Sequence, residues 1–216
     1  MKVCAVSPWE TAPARDILCF LGEATAELVV LPGVSRNTPS PQDVQRAIRR
    51  GVAVFVQSGR KKQRRKLKGK LGAIPYLVTR NRVVRMPCQI FSECTPTAKQ
   101  MDELVKAWPK RTFSIGSRQV TFAICGEING FTGDHVKHRR VLPFDILANP
   151  THTVMGRWQH LGPKLEALSK GKVAIHVANN DRNHGHLTTD VRIYINETLQ
   201  GGTVQRGQLK CCECDI

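Results

Sequence analysis

The feature that most constrains the fold of this chain is an alternation of short apolar runs with helical stretches over its first 57 residues. Residues 2–7 (KVCAVS), 27–31 (ELVVL) and 52–57 (VAVFVQ) are brief and almost wholly apolar, as strands buried on both faces are. Between the first two, Ile17, Leu18, Phe20 and Leu21 recur at near-helical spacing. Between the second pair, Ser40-Pro41-Gln42-Asp43 reads as a helix start: an N-cap serine, proline at the first position and an acid in the first turn. Val44, Ala47 and Ile48 then supply an apolar face, and Gly51 ends the helix. This order predicts a mostly parallel or mixed sheet with helical cover.

The remainder continues in kind. Residues 73–79 and 82–85 read as a hairpin around Arg80-Asn81, and residues 97–108 as an amphipathic helix with Met101, Leu104, Val105 and Trp108 on one side. Residues 118–125 (RQVTFAIC) form a strand that runs into Gly126-Glu127; 146–148, 172–178 and 190–196 read as further strands. A helix is expected over 156–169, with Pro163 pointing to a start near Gly162. No repeat or domain-length linker interrupts the chain. We therefore expect a single domain over 1–200, a basic loop at 59–70, and a flexible cysteine-rich tail at 201–216.

Composition narrows the functional classes. The longest apolar runs, such as Val52 to Val56, are far too short to span a bilayer, and the opening MKVCAVSPWE has no signal-peptide pattern. A cytoplasmic protein without a membrane partner is the default reading. Eight cysteines do not form a framework in such a setting; Cys4 and Cys19 read as small core hydrophobes. The net charge of +16 raises the prospect of a polyanionic partner. Much of the excess lies in residues 60–70 (RKKQRRKLKGK), where Arg60, Lys61, Lys62, Arg64, Arg65 and Lys66 are the nucleic-acid candidates. Few aromatics accompany them, so a stacking platform for single strands is absent.

The stretch that carries chemistry is residues 122–131, FAICGEINGF. A buried strand delivers Cys125 to its C-terminal end, where the chain turns at glycine. That placement can expose the sulfur and free the next backbone N–H groups to face an oxyanion. The bland alternative is a core cysteine that happens to end a strand.

Cys125-Gly126-Glu127 resembles the Cys-x-Asp/Glu motif of the nitrilase (carbon–nitrogen hydrolase) superfamily. Residues 1–6 resemble that family's opening strand, and residues 27–33 (ELVVLPG) its second, which normally ends Leu-Pro-Glu. Residues 84–91 (VRMPCQIF) are similar to its Tyr-Arg-Lys-x-x-Leu segment, 145–151 (DILANPT) to its Asn-Pro-Ser stretch, and 172–180 (KVAIHVANN) to a later strand ending Ala-Asn. The resemblance implies a four-layer α-β-β-α sandwich with a Glu–Lys–Cys site, in which glutamate is the general base and lysine stabilises the oxyanion. Carried over residue by residue, Cys125 is the nucleophile and Gly126 the oxyanion donor, while Glu93 falls at a second, structural glutamate. Glu127 is kept as a catalytic candidate, and Thr151 belongs to the pocket. The base position falls on Gly33 and the lysine position on Cys88, so this chain departs from the family at both.

Glu10, Glu23 or Glu127 could replace the base, and Lys99 or Arg85 the cation. Two readings follow. One is an amidase- or nitrilase-class hydrolase with a degraded site acting on a small amide. The other is an inactive nitrilase-fold binding protein that holds a small molecule in its pocket or nucleic acid on its basic loop. No cofactor and no metal are expected, and homo-oligomerisation is left open. A zinc site from Cys211 and Cys214 with His184 and His186 lacks a second clear pair. A papain-like pairing of Cys125 with His152 requires a contact that sequence cannot show.

Overall fold

The computed structural model describes residues 1–9, 11–33, 37–59, 73–132, 135–136, 143–152, 158–178 and 190–216. The basic run at 60–70, Glu10, His184 and His186 lie outside the described residues.

Among the described residues the chain forms two stacked sheets. The first contains β1 (Lys2–Pro8), β2 (Leu28–Val30), β3 (Ala53–Ser58), β4 (Ile74–Thr79) and β5 (Val83–Arg85), extended past β1 by β15 (Leu209–Asp215) and β14 (Thr203–Arg206). Here β1, β2 and β3 are parallel, in the register Val3–Leu28–Ala53. The second sheet runs β6 (Thr112–Ile115), β7 (Arg118–Phe122), β10 (Ile146–Thr151), β11 (Val173–Ala178), β12 (Asp190–Ile195) and β13 (Thr198–Leu199). Its parallel members are β7, β10 and β11, with Ile146 opposite both Val120 and Val173. A short ribbon joins β8 (Phe131–Thr132) to β9 (His135–Val136).

Period-two alternation decides which side chains meet. Val3, Ala5, Val30 and Phe55 of the first sheet pack against Val120, Phe122, Ala148 and Ile175 of the second. Phe55 stacks on Phe122 with ring centroids 4.9 Å apart. The opposite faces carry helices. α1 (Ala14–Glu23) and α2 (Pro41–Ala47) lay Ile17, Leu21 and Val44 on Cys4, Val29 and Val54. On the far sheet, α3 (Ala98–Ala107) and α4 (Trp158–Leu168) lay Leu104, Leu161 and Leu165 on Ala123, Leu147 and Ala174. The result is an α-β-β-α sandwich. Local signals agree with it: Ser40 accepts from Asp43 N–H at the start of α2, and Thr97 with Gln100 forms a capping box on α3.

Three elements differ from expectation. The tail is not flexible: β15 pairs with β1 over seven residues, from Lys2–Asp215 to Pro8–Leu209, with Cys211 and Cys212 buried. Its mixed composition conceals an alternation in which cysteine acts as a small apolar residue. Cys211 faces the helical layer, whereas Cys212 and Cys214 face the second sheet, so Cys211 and Cys214 point away from each other. Helix α4 starts at Trp158 and takes in Pro163, and β6 was not anticipated. No helix among the described residues is long and apolar enough to cross a membrane.

Candidate active site

Both parallel runs end on the same side of the sandwich, and the elements meet there. Ser7 Oγ, at the end of β1, donates to the Ala178 carbonyl at the end of β11. Beyond β2, Gly33 N–H donates to the Thr151 carbonyl at 2.7 Å. Open α/β sheets place ligands outside such carboxyl ends.

Here the chain leaves β7 and turns at Cys125, whose φ is +53°. A non-glycine residue in the left-handed region costs of order 1–3 kcal/mol unless its surroundings enforce it. The enforcement is visible. Asn149 of β10 donates from Nδ2 to the carbonyls of Ala123 (2.6 Å) and Cys125 (2.9 Å), on either side of the turn. The fully buried Glu127 carboxylate accepts from Ile124 N–H at 2.8 Å and Ile90 N–H at 2.6 Å, and pairs with the equally buried Arg111 guanidinium. Arg111 in turn donates to the Cys88 carbonyl, which fixes the segment after β5 against the turn. A Cβ on Gly126 would stand 2.5–2.7 Å from the Ser92 backbone, so only glycine fits beside the cysteine.

The sulfur is half-buried. Burial pushes the Cys125 thiol above its ordinary range, and Glu127 adds to this. Against them act the backbone N–H groups of His152 and Gly126 and the Gln89 side chain, all of which hydrogen-bond the sulfur and favour thiolate. Burial outweighs the donors, leaving a neutral thiol at pH 7. A Cβ on Gly33 would lie 2.7 Å from both Cα and Cγ of His152 and 2.8 Å from its Cδ2. The imidazole therefore occupies the space that any side chain at position 33 would need.

No family profile and no curated protein sequence matches the chain. Solved structures do. A CN-hydrolase superfamily protein from Xanthomonas campestris, with an arsenic adduct in its active site, is 14% identical with a TM-score of 0.62, covering 100% of this chain and 90% of that one. A cysteine-to-alanine mutant of the amidase from Nesterenkonia sp. AN1, in complex with butyramide, is 15% identical with a TM-score of 0.63, over 99% and 90%. A glutamate-to-glutamine mutant of that amidase, carrying the acetamide moiety of fluoroacetamide on its active-site cysteine, is 15% identical with a TM-score of 0.61, again over 99% and 90%. The fold is that of the nitrilase superfamily.

Within this nitrilase fold the sequence-derived site residues separate into groups. Cys125, Gly126, Gly33 and Thr151 lie together at the carboxyl ends, with Thr151 buried and its Oγ1 donating to the Val177 carbonyl at 3.2 Å. From the segment aligned with the nitrilase lysine, the side chain that reaches the sulfur is Gln89. Cys88 lines an adjoining cleft of about 950 Å³ with Met86, Glu103, Lys110 and Phe113. Glu127 is committed to Arg111 and to two backbone N–H groups. Glu93 is exposed; N–H groups of its own backbone and of Ser92, and Gln100 at the start of α3, hold its carboxyl below the ordinary range. Of the substitutes considered, Arg85 is exposed and lines the cleft, Lys99 is exposed on α3, and Glu23 accepts from Cys19 at the end of α1.

Sequence reading overlooked Arg111, Asn149 and His176. Arg111 stands in an ordinary Trp-Pro-Lys-Arg run, where nothing distinguishes a buried arginine from a solvated one. Asn149 was inside a quoted motif, and its role as a strap for the turn required the register of β10 against β7.

Proposed function

We propose that this protein is a carbon–nitrogen hydrolase-like protein of the amide class, with Cys125 as nucleophile in a Glu–Lys–Cys site stripped of its first two members. The observation that carries the reading is the enforced left-handed turn at Cys125, with two backbone N–H groups gathered on its sulfur. Such a turn serves a thiol that must meet a carbonyl carbon, since a core cysteine needs neither strain nor donors. With Gly33 and Cys88 at the family's glutamate and lysine positions, turnover falls well below that of an intact site. Loss of a general base costs roughly 10²–10⁴-fold and loss of an oxyanion donor roughly 10²–10³-fold.

The test measures ammonia release from acetamide and butyramide and, separately, adduct formation with fluoroacetamide, read by peptide mass spectrometry. Slow release that Cys125→Ala abolishes, with the adduct on Cys125, is the expected outcome. Equal release by both proteins, with no adduct on Cys125, overturns the reading.

The second reading is a binding protein of the same fold, favoured by the bare Gly33 and by the cleft beside Cys88. In that case the same amides raise the melting temperature without being consumed. The basic run at 60–70 would add a nucleic-acid partner. Its affinity would then fall steeply with salt.

A further inference from the structure

The strand that straps the nucleophile turn also ends on a titratable side chain. β10 holds the turn through Asn149, accepts Gly33 N–H on the Thr151 carbonyl, and then presents His152. The His152 backbone N–H is bound to Cys125 Sγ, so its imidazole, joined to that nitrogen only through Cα and Cβ, hangs at the rim of the same site. The Gly33 contacts fix where the ring goes: Cγ and Cδ2 fill the volume that a side chain at position 33 would enter.

We propose that His152 is the general base of this site, a histidine from the second sheet standing where a carboxylate from the first would otherwise project. The inference rests on the reading of Cys125 as nucleophile and supplies the proton acceptor that reading lacks. In the reaction, an imidazole nitrogen of His152 takes the Cys125 proton as sulfur bonds to the amide carbon and the carbonyl π pair moves to oxygen. The imidazolium then protonates the amide nitrogen as the C–N bond breaks, leaving a thioester and a free amine or ammonia. Water attacks the thioester with its proton passing to His152; the C–S bond breaks and the thiol recovers that proton. Every proton taken is returned, and no co-reactant besides water is needed.

The surroundings suit a neutral pair at rest. The segment after β5 faces the sulfur with the uncharged Gln89, β10 faces it with Asn149 and His152, and the loop after β2 brings only Gly33. The charge acting on the thiol from its own turn is that of Glu127, already paired with Arg111.

The experiment follows alkylation of Cys125 by iodoacetamide in the full chain, by peptide mass spectrometry, from pH 5 to 9.5. With His152 as base the rate rises through the imidazole range, near pH 6.5, and levels off. His152→Gln then lowers the rate at pH 7 by about 10²-fold and leaves a curve that climbs only through the thiol range. Gly33→Glu combined with His152→Gly restores a carboxylate from the first sheet and brings the inflection down towards pH 4–5. A wild-type curve with no step near 6.5 overturns the assignment whether or not the variants fold. So does a step that survives in His152→Gln, because a merely structural histidine would alter stability and leave the step in place. No alkylation of Cys125 at any pH instead overturns the parent reading of the thiol as a nucleophile.

Discussion

His176 is fully buried on β11, with Nδ1 2.9 Å from Asn149 Oδ1. Both amide hydrogens of Asn149 go to carbonyls, so Oδ1 accepts and the histidine carries its proton on Nδ1. Burial, helped by the charge of Arg192, lowers its pKa to about 3. The unfolded chain takes up that proton near 6.5, and the native state resists until about 3. Stability from this site is therefore complete above pH 6.5 and is lost as pH falls towards 3, at up to about 1.4 kcal/mol per unit. Urea unfolding between pH 7 and 4 should show this slope, and His176→Asn, which keeps a donor and cannot titrate, should flatten it. Arg111→Met tests the neighbouring pair: it strands Glu127 without its partner and should cost about 3–5 kcal/mol in the same assay. Of these residues only the nucleophile was legible beforehand, because a strand-ending cysteine before glycine leaves a local signature. Arg111, Gln89 and His176 act through partners far away in sequence, and local pattern says nothing about them.

The strands that read clearly were the continuous apolar ones, β1, β3 and β11, each buried on both faces. Helices α2 and α3 were equally legible, since their caps are local chemistry. β15 was misread because Leu209-Lys210-Cys211-Cys212-Glu213-Cys214 offers lysine and glutamate where a buried strand would offer valine. Both charges escape at the sheet's rim: Glu213 lies 2.9 Å from Lys2 Nζ and also meets Arg206, while its cysteine neighbours turn inward. Cys212→Ser puts a hydroxyl between the sheets and should cost about 1–3 kcal/mol, whereas Cys19→Ser, on the exposed side of α1, should stay within about 0.5 kcal/mol. Equal effects on chemical denaturation would return the tail to a loosely held segment.

For the molecule as a whole, cohesion of the sandwich depends on the layer between its sheets, centred on the Phe55–Phe122 stack. Phe122→Ala should destabilise by about 3–5 kcal/mol and loosen the turn three residues further on, seen as faster alkylation of the other buried thiols in native protein. The order of layers was readable because it follows from which faces are apolar. The meeting of β2 with β10 at Gly33 and His152 was not, since it depends on how far each strand runs past the core. That meeting also bears on how such a site can change over generations. A carboxylate at 33 and an imidazole at 152 claim one volume, so they behave as alternative alleles with reciprocal sign epistasis. Gly33→Glu alone collides with the ring, His152→Gly alone leaves a void, and a lineage passes between the two chemistries only by crossing one of these less fit intermediates.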